Sequence, residues 1–395
     1  MKQNTNLYTA SITGAYDFMI GSVTAFSMVY LLANNLSEAL IGNLIAGANL
    51  LAILTQPLLA SWADRSRKWS VYHFIQVLTV VILLALFLLL ILRDHFILVA
   101  ATYLLSLGLL SMLLPFHNAF IMSLLNAGYQ VNFGVTRAVG SFSFAVTSSL
   151  VGYWVTQMGE QAIIYVALIG AICYLFANWR LYHKFKKDLE PAGREVSSQN
   201  FHFREESITQ SFWRRYPQFI WLMVGTLGLF ISHNIANLFV YQIVAGVGGG
   251  TSEMGLAIAL AAVVEVPVMV YYSRLTRRYH HSQLLKLSSW GFMLKALLTL
   301  LASSVAGVYF AHLFQTISFG LYIVACVYYT DELMGGQDKV KGQSYLAMMQ
   351  TMGGILAGSV GGWLLDLYDL KCLLIFSLVG TLVGVACFHR GLQNR

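Results

Sequence analysis

The sequence predicts an all-α membrane protein whose twelve transmembrane helices form two similar six-helix bundles. Hydrophobic residues make up 57% of the 395 positions and charged residues only 10%, whereas about a quarter of the residues in a soluble domain are charged. The apolar residues form blocks close to the roughly 20 residues that a helix needs to cross a bilayer. One long polar stretch, 184–215, separates six of these blocks from the other six.

Twelve apolar blocks define the predicted helices, which are numbered in chain order. Their lengths favour spanning helices over the strands of a buried sheet, which are much shorter. The predicted spans are 10–33, 38–60, 70–92, 96–124, 136–158, 161–183, 216–245, 252–273, 283–304, 306–330, 343–366 and 370–389.

Basic residues alternate from one loop to the next. They follow helices 2, 6, 8, 10 and 12, whereas the opposite loops hold only Arg93 and Lys371. Because loops rich in Lys and Arg stay on the cytoplasmic side, we expect both termini to be cytoplasmic in a multi-pass protein of the cell membrane. The predicted domains are an N-terminal bundle (1–183), a cytoplasmic linker (184–215) and a C-terminal bundle (216–395).

The two halves carry a similar pattern around their second helix. Pro57 in helix 2 precedes Arg67 by ten residues, and Pro267 in helix 8 precedes Arg277 by the same distance. Together with the division into six and six helices, this pattern supports a repeated bundle. In such repeats the substrate binds near the middle of the bilayer, where the repeats face each other.

Several classes of protein are excluded. The net charge of +7 comes without the aromatic or Gly-rich modules of a nucleic-acid-binding protein. The four cysteines lie in apolar blocks without a CxxC or Cys/His spacing, so we predict no metal and no cofactor. No nucleophile or acid pair has the spacing of a catalytic site, which argues against an enzyme.

A charged motif follows helix 2. The sequence Asp64-Arg65-Ser66-Arg67-Lys68 resembles the loop signature of the major facilitator superfamily, with Ala60 in place of the usual glycine. The resemblance implies the major facilitator fold over essentially the whole chain, and a monomer. It also implies that Asp64, Arg65, Arg67 and Lys68 form a latch that stabilises one state of the transport cycle, in addition to anchoring the loop.

Three stretches resemble the branch of that superfamily that contains lactose permease and its sugar, nucleoside and phenylpropionate relatives. They are FGVTRAVGS at 133–141, AVVEVP at 262–267 and QTISFG at 315–320. By this resemblance Arg137 contacts the substrate. His312 and Gln315 resemble the helix 10 His/Glu pair that couples sugar to protons, with an amide in place of the acid. A shift of the alignment by three residues would instead place Gln315 on the histidine and Ser318 on the acid.

The sequence departs from that branch at further positions. His117-Asn118 stands where the helix 4 acid is expected, and Phe144 stands where lactose permease has a tryptophan against the sugar. The coupling scheme of lactose permease therefore does not carry over intact.

Ionisable residues within the spans are few. A charge at the centre of a spanning helix costs about 2.5 to 3.5 kcal/mol on insertion scales, so such residues usually line cavities or pair with one another. Asp17 and Glu265 are candidate proton carriers. Glu265 has a second interpretation, as a structural ion pair with Lys295 on the next helix. Asp17 has no basic residue nearby on helix 1 or 2, which favours a functional role.

Polar side chains in helices 4, 7 and 10 are candidate ligands for a hydroxylated solute, because Asn and His both donate and accept hydrogen bonds. Single residues of this kind also join helices to one another, and this alternative remains open. The candidate substrate-binding residues are His117, Asn118, Arg137, His233, Asn237, His312 and Gln315.

These observations predict a secondary active transporter, in which protons are coupled to the movement of a small polar solute across the lipid bilayer. A sugar, an oligosaccharide or a nucleoside is the favoured solute. The alternatives are the uptake of an aromatic acid, which Arg137 and Lys295 would suit, and the export of drugs or other amphipathic or lipid-linked compounds.

Overall fold

The computed structural model describes residues 5–65, 70–92, 95–131, 133–189, 212–335 and 338–392. Over these residues the chain is helical, which confirms the predicted fold class. The first six helices are helix 1 (Asn6–Ala33), helix 2 (Glu38–Arg65), helix 3 (Val71–Ile91), helix 4 (Phe96–Asn126), helix 5 (Phe133–Met158) and helix 6 (Gln161–Leu189).

A four-residue helix, Phe212–Arg215, precedes the second set. This set comprises helix 7 (Pro217–Leu238), helix 8 (Thr251–Leu275), helix 9 (His281–Leu301), helix 10 (Val305–Leu333), helix 11 (Asp338–Leu367) and helix 12 (Leu370–Gly391). A further short helix, Val240–Ala245, follows helix 7.

Eleven of these helices, within the part of the chain that is described, are long and apolar enough to cross a membrane. Helix 11 is outside that group although it has 30 residues. Its sequence contains Gly353, Gly354, Gly358, Gly361 and Gly362, which lower its hydropathy and allow other helices to approach closely.

Within the residues that the structure describes, three of the spanning helices defined above are interrupted. Helix 1 has a break between Val23 and Ser27, and helix 8 consists of Thr251–Val264 and Val266–Leu275 on either side of Glu265. Pro267 explains the second break, because proline has no N–H for the helical hydrogen bond. In helix 10 the residues Thr316–Gly320 form a π-helical turn between two α-helical segments.

Two compact units are defined by the contacts within the chain. The first comprises 1–26, 47–147 and 158–208, and the second comprises 27–46, 148–157 and 209–395. The segments 27–46 and 148–157, from helices 1, 2 and 5, thus pack with residues of the second half. The division by sequence order into 1–183, 184–215 and 216–395 stays a prediction.

Helices of the first unit pack around small residues and buried hydroxyl groups. A Cβ at Gly170 of helix 6 would lie 2.8 Å from the Cα of Met19, so glycine is needed for the close approach to helix 1. The hydroxyl of Tyr103 donates a hydrogen bond of 2.7 Å to the carbonyl of Val23, at the break in helix 1. This bond satisfies a carbonyl at the end of a helical segment.

In the second unit, helix 2 meets helix 11 through backbone contacts between glycines. A Cβ at Gly42 would overlap the carbonyl group of Gly358, and a Cβ at Gly358 would lie 2.7 Å from the oxygen of Gly42. Next to this crossing, the Ala39 N–H donates to Asp366 Oδ2 at 3.2 Å. Glu38 interacts with the same carboxyl group.

Helix 12 begins with a capping aspartate. The Cys372 N–H donates to Asp369 Oδ1 at 2.8 Å and lowers the pKa of this exposed carboxyl group. Such a cap satisfies one of the N–H groups that have no partner within the helix.

Candidate polar sites in the two units

Asp17 lies on helix 1 and faces helix 5 of the first unit. A side chain at Gly140 would overlap its Oδ2 atom, so the glycine makes room for the carboxylate. Oδ2 is buried and has no hydrogen-bond partner. Arg137, one turn before Gly140, interacts with Asp17 electrostatically. The sequence shows no basic residue near Asp17 on helix 1 or 2, but in the folded chain Arg137 of helix 5 acts on this carboxylate.

His117 is enclosed by polar and aromatic groups of the same unit. Its Nε2 is 3.2 Å from Thr13 Oγ1 and its Nδ1 is 3.1 Å from the hydroxyl of Tyr174. The ring stacks on Tyr16 at 4.6 Å between centroids, and 2% of the residue is exposed. Both ring nitrogens are therefore engaged within the bundle, as expected of a residue that joins helices. A direct contact with solute stays a prediction.

Arg137 and Asn118 differ from His117 in exposure. Both are exposed on the first unit, so their polar groups are accessible from outside its core. An open groove of about 480 Å³ runs between helices 1 and 5, and Phe142 and Val146 are among its lining residues. The exposed guanidinium group of Arg137 suits an anionic solute, and the groove offers a separate apolar surface.

Lys295 is the centre of the polar cluster in the second unit. The Nζ atom donates a hydrogen bond of 2.6 Å to Gln315 Oε1, and the residue is 4% exposed. Glu265 interacts electrostatically with Lys295 and is itself buried. Helices 8, 9 and 10 thus contribute an acid, a base and an amide to one site. Gln315 is a hydrogen-bond partner of Lys295 that the sequence did not indicate.

His233 of helix 7 lies beside this cluster. Its Nε2 accepts a hydrogen bond from Asn237 Nδ2 at 3.0 Å, which places the proton of the neutral ring on Nδ1. The Nδ1 atom is buried without a partner. The ring stacks on Phe319 of helix 10 at 4.4 Å, while Asn237 is exposed.

His312 of helix 10 completes the cluster. It interacts electrostatically with Lys295 and His233, and neither of its buried ring nitrogens has a hydrogen-bond partner. Burying a polar group without a partner costs about 1 to 3 kcal/mol. Such a residue is retained where another state of the protein, a water molecule or a ligand supplies the partner.

A narrow cavity adjoins the cluster between helices 7, 9 and 12. Its volume is about 10 Å³, close to the space that one water molecule needs. His233, Lys295, Ser232 and Ser377 line it, and the two serine hydroxyls are hydrogen-bonded to each other at 2.7 Å. The cavity is too small for a solute.

Some polar features near the cluster had no distinct signal in the sequence. Thr316 lies in the π-helical turn of helix 10, which also contains the Ser318 of the shifted alignment, and Ser232 and Ser377 form a pair across helices 7 and 12. Serine and threonine are common in membrane helices, so residue type alone does not mark them. The turn depends on backbone hydrogen bonding, which no residue pattern predicts.

The predicted latch falls largely outside the described residues. Asp64 and Arg65 lie at the end of helix 2, whereas Arg67 and Lys68 lie in the segment that is left undescribed. The latch therefore stays a prediction. In the part of the chain that is described, no group of three or more His, Cys, Asp or Glu residues is placed to hold a metal ion.

The helical fold and the buried polar clusters define a multi-pass membrane transporter. A model of the MFS_1 like family matches residues 12–376, and the chain belongs to this family of major facilitator transporters. The chain is also 25% identical over 374 residues to the maltose permease of Geobacillus stearothermophilus, covering 93% of this chain and 90% of that protein. These relatives are transporters rather than enzymes.

Solved structures share the fold. A mutant form of the nucleoside transporter NupG superposes with a TM-score of 0.81 at 14% identity, over 99% of this chain and 100% of that chain. The POT family transporter PepTSo gives a TM-score of 0.73 at 11% identity, over 98% of each chain. At these identities the likeness concerns the fold alone.

Proposed function

We propose that this protein is a proton-coupled secondary active transporter of a small polar solute, with a sugar, an oligosaccharide or a nucleoside as the favoured class. The observation that carries the proposal is the buried cluster of Lys295, Gln315 and Glu265 on three spanning helices. A charged site inside a membrane helix is costly and is retained where ions or protons pass.

Among the residues that the structure describes, each unit contains a buried carboxylate near a base of a neighbouring spanning helix. Asp17 lies near Arg137, and Glu265 lies near Lys295. A nearby cation favours the charged form of a carboxylate, whereas burial favours its neutral form. A change in the surroundings during the transport cycle therefore shifts the balance, so that the group takes up a proton on one side of the membrane and releases it on the other.

The solute class follows from the hydrogen-bonding groups and the relatives. Asn118, Asn237 and Arg137 are exposed and offer the donors and acceptors that hydroxyl groups require. One relative is named for maltose and one structural neighbour for nucleosides, and both solutes are rich in hydroxyl groups. We also propose that His233, His312 and Gln315 of the second unit bind the solute, because their side chains offer further donors and acceptors.

The proposal is tested with purified protein in proteoliposomes that contain a pH-sensitive dye. Sugars, oligosaccharides and nucleosides are added outside, and the internal pH is followed for wild type, Asp17→Asn and Glu265→Gln. Glu253→Gln is the matched control, because this acid of helix 8 caps the helix through the Gly250 N–H at 2.8 Å. Loss of proton movement with intact solute exchange in either test variant, but not in the control, supports the proposal.

Other results contradict parts of the proposal. Solute exchange without proton movement in the wild-type protein would define a facilitator or an exchanger. Proton movement that is unchanged in both test variants would remove Asp17 and Glu265 as carriers.

An aromatic acid is the second candidate solute. The exposed Arg137 offers a guanidinium group to a carboxylate, and the separate groove that Phe142 and Val146 line offers an apolar surface to a ring. The same groove is also compatible with the export of amphipathic compounds. Including aromatic acids in the panel, and measuring efflux of a lipophilic dye, separates these candidates from the favoured class.

A further inference from the structure

Two interrupted helices of the second unit meet at their irregular segments. Helix 8 is broken at Glu265, and helix 10 has the π-helical turn Thr316–Gly320. The hydroxyl of Thr316 donates a hydrogen bond of 2.6 Å to the carbonyl of Val264, the last residue before the break. The last carbonyls of a helix have no partner within the helix, so Thr316 supplies one from the neighbouring helix.

A glycine brings the two backbones together at the same place. A Cβ at Gly320 would lie 3.0 Å from the Cβ and 3.2 Å from the Cα of Glu265. The Gly320 N–H donates to the carbonyl of Gln315 at 3.0 Å, which is the hydrogen bond that defines the π-helical turn. The turn therefore connects Gln315, whose amide binds Lys295, to Gly320, which contacts Glu265.

Helix 9 packs against the other side of this turn. A Cβ at Gly291 would lie 2.8 Å from the backbone of Ile317. Lys295 follows Gly291 by four residues and so lies on the same face of helix 9. Glu265, Lys295 and Gln315 are thus all attached to backbone segments that touch the turn. Isolated π-helical turns occur frequently at functional sites.

We infer that Thr316 is a positioning residue, which couples the break in helix 8 at Glu265 to the π-helical turn that carries Gln315. The inference rests on the proposed role of Glu265 in the transport cycle. Through the bond from Thr316 to Val264, a rearrangement at Glu265 displaces the turn, and a displacement of the turn moves Glu265 relative to Lys295. Thr316 itself contacts neither solute nor proton.

The coupling is tested without transport, by hydrogen–deuterium exchange of the purified full-length protein. The readout is the exchange rate of backbone amides at 316–321, with Glu265→Gln as the perturbation. The Glu265→Gln substitution is introduced into three backgrounds, which are wild type, Thr316→Val and Thr316→Ser, and its effect on exchange is compared between them. Thr330→Val is the matched control, because Thr330 donates a similar 2.7 Å bond to the Cys326 carbonyl within helix 10 itself. Glu265→Asp is a second perturbation that keeps the carboxylate.

Glu265→Gln is expected to change exchange at 316–321 by about fivefold in the wild-type background, the lower end of typical couplings between linked sites. The change is expected to vanish in Thr316→Val and to return in Thr316→Ser, while Thr330→Val behaves like wild type. An equal effect of Glu265→Gln with and without the Thr316 hydroxyl overturns the inference. So does the absence of any effect of both Glu265 substitutions in the wild-type background.

A transport measurement separates this inference from the proposed function. In proteoliposomes, Thr316→Val is expected to shift the pH profile of solute-driven proton movement, and Thr316→Ser to restore it. If wild type moves no protons with any solute, the proposed function fails, whereas the exchange experiment still decides whether Thr316 couples the two segments.

Discussion

Lys295 and Gln315 join helices 9 and 10 through a hydrogen bond of 2.6 Å between Nζ and Oε1. The bond gives the buried ammonium group a neutral acceptor, while Glu265 acts on it electrostatically. The amide thus fixes the position of the lysine without neutralising it. Lys295 can therefore respond to a change in the charge of Glu265, which a tight ion pair with an acid at position 315 would obscure.

Gln315→Leu is expected to destabilise the protein, because it leaves Lys295 without its acceptor. Hydrogen bonds to charged groups contribute about 1.5 to 3 kcal/mol, so a clear fall in the midpoint of thermal unfolding is expected in detergent. Gln315→Glu is the control, since it keeps an acceptor of the same size and should restore stability. Equal stability of Gln315→Leu and wild type would show that Lys295 finds another partner.

His117→Ala is expected to act on stability rather than on solute affinity. The substitution removes the hydrogen bonds to Thr13 and Tyr174 and the stacking on Tyr16. The loss of buried partners costs about 1 to 3 kcal/mol. Thermal unfolding and the half-saturating solute concentration in counterflow are measured together.

The exposed His95 provides a matched control for this prediction, because His95→Ala removes no buried contact. Stability equal to wild type combined with a large loss of solute affinity would instead make His117 a ligand. That result would support the role for which the sequence made it a candidate.

The fold was predictable because membrane insertion imposes strong constraints on sequence. Blocks of apolar residues mark helices such as Val71–Ile91. A helix is the regular structure in which a single segment forms all of its backbone hydrogen bonds within itself, as the lipid interior requires. The polar clusters were partly predictable for the same reason. Lys295 and Glu265 are conspicuous because a charge in a membrane helix is rare.

The details of the clusters depend on packing, which a residue list does not encode. Arg137 acts electrostatically on Asp17, and Gly140 leaves the room that the carboxylate occupies between helices 1 and 5. His117 is a candidate solute ligand by residue type, and its hydrogen bonds to Thr13 and Tyr174 depend on how helices 1, 4 and 6 pack. The interaction between Thr316 and Val264 depends on two local breaks in helical hydrogen bonding.

Gly140→Ala is expected to impair transport by displacing Asp17. The added methyl group would overlap Asp17 Oδ2 and lie 2.9 Å from Thr13 Cγ2. The carboxylate then has to rotate away from its position near Arg137. Proton movement and solute exchange are measured in proteoliposomes, and proton movement is expected to fall more.

Gly47→Ala is the control for this prediction, since its nearest neighbour would be a side-chain atom of Leu104 at an ordinary 3.4 Å. A wild-type transport rate in Gly140→Ala would show that Asp17 tolerates displacement, and would count against its role as a proton carrier.

Gly42→Val is expected to separate helices 2 and 11, because a Cβ there would overlap the backbone of Gly358. A backbone cannot yield as a flexible side chain can, so the helices have to move apart or the crossing has to open. The bond from Ala39 N–H to Asp366 lies beside the crossing and should break with it. Spin labels at the exposed Leu40 and Leu367 report the separation as a change in their distance distribution.

Gly354→Ala is the control on helix 11, since the atoms nearest to its added Cβ would be those of the Asn234 side chain, at an ordinary 3.5 Å. We expect wild-type distances for this variant and a longer, broader distribution for Gly42→Val. A substitution shifts an equilibrium between two states only when it affects one state more than the other. The size of the change in the distance distribution therefore measures how strongly the crossing of helices 2 and 11 favours the observed state. Unchanged distances in Gly42→Val would mean that the two helices tolerate the side chain by a local adjustment, and that the glycine contact does not control their separation.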